Sequence, residues 1–143
     1  MVRLLSKFLD LLSHDVEIDL SPEAVVFRCA GQSVSLAPVV HVSAAMPRRL
    51  VAVGDGVGVS EPCIAVSLFS LSPHPVPDVS KEECLEAFFR YAIKKVGKTA
   101  DPVRPRMIIT GAEGFRDLFC GYEQWIFREM AIRAGARECE FRS

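Results

Sequence analysis

A chain of 143 residues, half of them hydrophobic and 24% charged, has the length of one ordinary domain and enough apolar side chain to bury a core, so it is not a disordered tail. Its formal net charge of -1 offers none of the basic surface that nucleic-acid binding needs, and nucleic acid is not an expected partner. No apolar run reaches the ~18 residues of a membrane span, and the first residues lack a signal peptide's small-residue cleavage site.

The first predicted element is an amphipathic helix within residues 1–12. Leu4, Leu5, Phe8, Leu9 and Leu12 recur at helical spacing, with Arg3, Ser6, Lys7 and Asp10 on the other side. It is shorter than the ~12–15 residues an isolated helix needs, so it is expected to dock on the core. Residues 15–29 then read as a hairpin. Val16, Ile18 and Leu20 alternate with Asp15, Glu17 and Asp19, and after Ser21-Pro22-Glu23 comes the run Ala24-Val25-Val26-Phe27. The stretches 32–37, 39–43 and 50–55 continue what reads as one antiparallel meander of four or five strands, with Pro38 limiting the third. Residues 56–79 form an irregular connection rich in glycine and proline, in which 63–71 is expected to be one strand or a buried segment.

The clearest helix follows. Ser80 with Glu83 has the pattern of a capping box. Leu85, Phe88, Phe89, Ala92, Ile93 and Val96 keep one apolar face, and Gly97 ends it. Residues 105–112 are predicted as a buried strand, roughly 116–134 as a second helix, and 138–141 as a last strand. That strand should lie parallel to the one before it, because a helix separates the two. The order gives an α/β fold with a mixed sheet of about five strands, two main helices and a short N-terminal helix, all within one domain spanning 1–143.

The five cysteines are scattered and none forms a C-x-x-C pair, so free thiols are expected rather than a disulfide framework or a zinc site. The three histidines are scattered too, and no metal or catalytic role is assigned to them.

Several segments resemble, in chain order, the MreB (rod-shape-determining) branch of the actin-like proteins. "AIRAGARECEF" (131–141) is similar to a family helix that ends in A-G-A-R-E and leads into a strand. "RPRMIITG" (104–111) resembles the P-R-V-x-I-x-V-P strand, "LVAVGD" (50–55) the V-A-V-G-x-x-A segment, and "VSKEECLEAFFRYAIKKV" (79–96) the V-T-E-x-M-L-x-x-F-I-x-K-V helix. Residues 13–38 are similar to the opening hairpin. The resemblance implies a ribonuclease-H-like half-domain, the first of the two between which the family binds ATP. The second half, with its own phosphate hairpin and the adenosine pocket, is expected to be missing.

The opening turn departs from the family's Asp-Leu-Gly-Thr-Ala-Asn. Here it reads Asp19-Leu20-Ser21-Pro22-Glu23. A phosphate cradle needs backbone N–H groups at close approach, which glycine permits. Serine replaces that glycine, Pro22 removes a donor, and Glu23 places a negative charge where polyphosphate would sit. Asp19 matches the family's aspartate. Glu123, in "GYEQW", falls near the carboxylate that orients hydrolytic water, and both are expected to be vestigial. "GDGVG" (54–58) lacks the following Lys-Ser/Thr of a P-loop and reads as a turn. No cofactor and no catalytic residue are expected.

The reading is therefore of a non-catalytic, cytoplasmic interaction module. It is expected to bind a protein partner such as a full-length MreB-like protein, or copies of itself. Leu4, Leu5, Phe8, Leu9, Tyr122 and Trp125 are its candidate contact residues. The second helix carries apolar residues around much of its circumference and should be covered on more than one side. Membrane-surface contact by the N-terminal helix, at the inner face of the cell membrane, should be weak, because only Arg3 and Lys7 are basic there. The alternative is half of a split actin-like ATPase that binds Mg·ATP only with a complementary chain. A ribonuclease-H-type nuclease would need clustered carboxylates for two Mg²⁺ ions; Glu17 and Asp19 are expected on opposite faces of their strand, and no further set converges.

Overall fold

The computed structural model describes residues 4–5, 15–21, 23–56, 59–69, 75–76, 78–96, 104–115 and 121–142; the side chains of 114–115 and 121–123 are likewise outside the description. β1 (Val16–Leu20) buries Val16, Ile18 and Leu20 and exposes Glu17 and Asp19. Strand side chains repeat every second residue, so the two carboxylates share one face, and the expectation that they point oppositely is corrected. β1 pairs antiparallel with β2 (Val25–Cys29), and β2 with β3 (Gln32–Leu36). The β2–β3 connection is the two-residue turn Ala30-Gly31, with φ of 50° and 83°.

At residue 37 the chain leaves this sheet. The Val39 amide donates to the Ala37 carbonyl at 2.8 Å, a three-residue turn, and Pro38 has no N–H with which to extend the ladder. β4 (Val39–Ser43), β5 (Leu50–Val53) and β6 (Cys63–Ser67) form a separate three-stranded antiparallel sheet in the order β5-β4-β6. The predicted meander is thus split between two sheets, and the connection 56–79 contains a strand.

α1 (Lys81–Val96) starts where the Glu83 amide donates to Ser80 Oγ at 3.1 Å. Glu82 and Glu83 occupy its first turn and Lys94 and Lys95 its last, each favourable to the helix dipole. β7 (Arg106–Thr110) lies between β1 and β8 (Glu138–Phe141), parallel to both. A 3₁₀ turn (Ala112–Phe115) and α2 (Gly121–Arg133) carry the chain from β7 to β8. The five-stranded mixed sheet has the order β3-β2-β1-β7-β8. The predicted start of the second helix at 116 lies outside the described residues.

Both helices pack into one core. Phe27 of β2 meets Phe88 at 5.7 Å between ring centroids, Phe89 meets Phe127 of α2 edge-on at 4.9 Å, and Phe127 stacks on Phe69 at 5.9 Å. The other face of the sheet is largely polar, with Ile108 of β7 buried between Glu17 and Glu140. Glu17 sits directly across from Arg28, an opposite-charge pair that favours this register, and Arg106 Nη2 donates to Asp15 Oδ2 at 2.8 Å. Of the predicted N-terminal helix, Leu4 and Leu5 are described; they are helical but 73% and 60% exposed, so they do not dock on the core. Phe8, Leu9 and Leu12 lie outside the described residues.

Candidate functional site

The site singled out by the sequence is the loop after β1. The last β1–β2 register pair is Leu20 with Val25, so the loop has four residues, 21–24. Ser21 closes it. Its amide donates to the Ala24 carbonyl at 3.0 Å, its hydroxyl donates to the same carbonyl at 2.7 Å, and the Ala24 amide donates back to Ser21 Oγ at 3.2 Å. Two of the loop's amides are thereby bonded within the loop, and proline carries none. Pro22 itself lies outside the described residues; Glu23 is exposed.

β7 ends beside this loop, because it runs parallel to β1 with Asp19 opposite Thr110. Thr110 Oγ1 lies 3.3 Å from the Ile18 carbonyl and 3.4 Å from Asp19 Oδ1. Gly111 follows with φ +86°, and a Cβ there would stand 2.4 Å from the Leu20 carbonyl oxygen. The carboxyl ends of parallel strands are where open α/β sheets take ligands. The structure therefore brings Asp19, Ser21 and Glu23 together with Thr110 and Gly111, two residues the sequence reading placed only in a strand and its end. The described residues of these two segments, 19–24 and 110–115, carry the carboxylates of Asp19, Glu23 and Glu113 and no Lys or Arg. Glu123 belongs to α2, whose chain departs from the same end of β7; its side chain is outside the described residues. No group of three or more His, Cys, Asp or Glu among the described residues is arranged to hold a metal ion.

The second candidate surface is on α2. Phe127, Met130 and Ala131 are buried, whereas Trp125 is 57% exposed and Ile132 39%. Positions 125 and 132, seven apart, lie on one face of a helix. Apolar side chains thus stand on both the packed and the outer side of this helix. The Tyr122 side chain lies outside the described residues.

The mixed sheet, with its opening hairpin, two parallel additions and helices joining them, defines an actin-like α/β fold of the ribonuclease-H-like type. The chain is similar in structure to MreB5 of Spiroplasma citri, solved bound to AMPPNP (TM-score 0.64, 13% identity) and bound to ADP (0.64, 14%). In each case the likeness covers 92% of this chain and 38% of the MreB5 chain. At this identity the likeness is one of fold. No protein-family model matches the chain, and no curated protein matches it in sequence. Among the described residues, no helix is long and apolar enough to cross a membrane.

Proposed function

We propose that the chain is a non-catalytic, MreB-like interaction module that works in the cytoplasm by binding a cytoskeletal or envelope-associated protein, or copies of itself. The observation that carries this reading is the closed loop after β1. A nucleotide phosphate at the strand ends would need backbone donors, and the Ser21 and Ala24 amides already serve the Ala24 carbonyl and the Ser21 hydroxyl. The neighbouring carboxylates of Asp19, Glu23 and Glu113 add repulsion toward polyphosphate. Trp125 and Ile132 on the outer side of α2 are the proposed contact residues with observed exposure. Leu4 and Leu5 are a second set, for a protein or, weakly, for the inner face of a membrane.

A second reading, half of a split actin-like ATPase, is favoured by one observation: Asp19, Thr110 and Gly111 meet at the carboxyl ends of parallel strands. Calorimetry and thermal unfolding with Mg·ATP separate the two. A ligand at ~100 times its dissociation constant stabilises a fold by about 2.7 kcal/mol. The interaction module shows no heat of binding and no shift in melting temperature at millimolar Mg·ATP. A saturable shift removes this reading and favours the ATPase half.

A further inference from the structure

The outer face of α1 and the strand β5 form one groove, a cavity of about 580 Å³ that follows α1 from Glu83 to Lys94 and β5 from Leu50 to Val53. Along α1 the intervals between Glu83, Ala87, Arg90 and Lys94 are 4, 3 and 4 residues, so these four form one seam on the helix surface. We propose that this face binds a second copy of the chain about a two-fold axis, with the two α1 helices antiparallel and Glu83 of each copy opposite Lys94 of the other. The proposal rests on the interaction-module reading and names the module's partner as the chain itself.

Spacing and charge supply the first argument. Read in reverse, the intervals are again 4, 3 and 4. A copy turned by 180° therefore meets the same seam in register, with Glu83 opposite Lys94 and Ala87 opposite Arg90, each contact made twice. Glu83 and Lys94 are exposed, and among the described residues neither belongs to an ion pair. Arg90 is held within its own chain, where Nη2 donates to Glu86 Oε1 at 3.0 Å and to the Arg133 carbonyl at 2.9 Å. The middle of the seam is thereby neutralised, and Ala87 there is small enough for two helix axes to approach to ~8–10 Å. The free charges stand at the ends, acidic in the first turn and basic in the last. Parallel helices would set like charge against like, so charge selects the antiparallel order.

The apolar side chains supply the second. Terminal charges of this order also suit the dipole of a solitary helix, but a solitary helix has no use for exposed apolar groups beside them. Leu50 is 42% exposed and Tyr91 37%, and both line this groove. A second α1 laid along the groove covers both, and symmetry doubles the apolar area removed from water. Any other partner would have to bring a helix with the reverse charge order and its own apolar pair, whereas this chain already carries both. A two-fold contact uses one patch on each copy, so the assembly closes at two.

The test is sedimentation velocity of the full chain from ~5 μM to ~1 mM, the range of weak specific association. The expected result is a monomer–dimer equilibrium with no larger species, weakened by salt because the end charges are exposed. Glu83→Lys makes both ends of the seam basic and Lys94→Glu makes both acidic, so each variant alone should dimerise about tenfold more weakly. An equimolar mixture of the two should associate as tightly as the unaltered chain, because every end then meets its opposite. Tyr91→Ser keeps all the charges and should weaken dimerisation about fivefold. Far-UV circular dichroism verifies that each variant is folded. A chain still monomeric at ~1 mM, oligomers that keep growing with concentration, or a Tyr91→Ser dimer as tight as the unaltered one would each overturn the proposal. So would a mixture of folded charge variants that stays monomeric. The Mg·ATP titration is read separately: a monomer removes this dimer and leaves the module with a different protein partner, and nucleotide binding removes the non-catalytic reading alone.

Discussion

Gly111 shows how closely β1 and β7 approach at their carboxyl ends. Its φ of +86° lies in the left-handed region, and an added Cβ would be 2.4 Å from the Leu20 carbonyl oxygen and 3.3 Å from Asp19 Oδ1. Leu20 O is backbone in a paired strand, so it cannot swing away. Gly111→Ala should therefore cost the conformational penalty, ~1–2 kcal/mol, plus a displacement of one strand, together about 2–4 kcal/mol. Urea unfolding followed by far-UV circular dichroism measures this, and a loss under about 1 kcal/mol would show that the strand ends relax. In the sequence Gly111 was legible only as the end of an apolar run, because its near neighbour, Leu20, is remote along the chain. Ser21 was more legible: a serine where the resembled turn has glycine already marked the loop as a departure from a phosphate cradle. The partner atoms on Ala24 came from the structure.

Among the elements, the β2–β3 hairpin turns on Ala30, a residue with a Cβ held at φ +50°. Two-residue turns with both central residues at positive φ favour Asn-Gly, because asparagine tolerates that region. Ala30→Asn should raise stability by about 0.5–1 kcal/mol, read as a higher urea midpoint at unchanged slope. No gain would mean that the turn is not the strained point of the hairpin. The alanine hid this turn from the sequence reading, which passed from one strand to the next without placing it. α1 was legible throughout, since its cap, its apolar period and its terminal charges all agree. α2 was not. Its apolar residues point several ways, and only the packing of Phe127 against α1 and β8, with the burial of Met130, separates its inner face from Trp125 and Ile132.

At the scale of the whole molecule, the core also sets the chemistry of its thiols. Burial, reinforced by Glu83 and Glu82, pushes the Cys84 thiol up to about 11. Burial pushes Cys139 up to about 12 against the opposing charge of Arg128. The native state thus holds both protons more tightly than the unfolded chain, whose thiols titrate near 9. Their effect on stability is absent below pH 9, and stability falls as pH rises from 9 toward 12. At pH 8 Cys84 should react with a disulfide reagent about a hundredfold more slowly than in urea, and Cys139 more slowly still, because the thiolate is the nucleophile. Mass-spectrometric labelling at these two cysteines measures it, and equal rates would mean that the native state does not hold these thiols buried.

Local pattern was enough to determine most element types, with residues 63–71 left between a strand and a buried segment, the order of hairpin, helix, strand, helix and strand, and the parallel pairing of the last strand with the one before it. Each of these follows from periodicity, caps and connection length, which act over a few residues or a single crossover. The tertiary structure alone decided where the strands part. The turn at Ala37 and Pro38 divides one apparent meander into two sheets, and the end of β3 and most of β5 then line one cavity with Tyr91. It also decided that Thr110 and Gly111 stand beside Asp19. Such meetings depend on how sheets and helices bury one another's apolar faces. That is a property of the assembled core, and no window of the chain contains it.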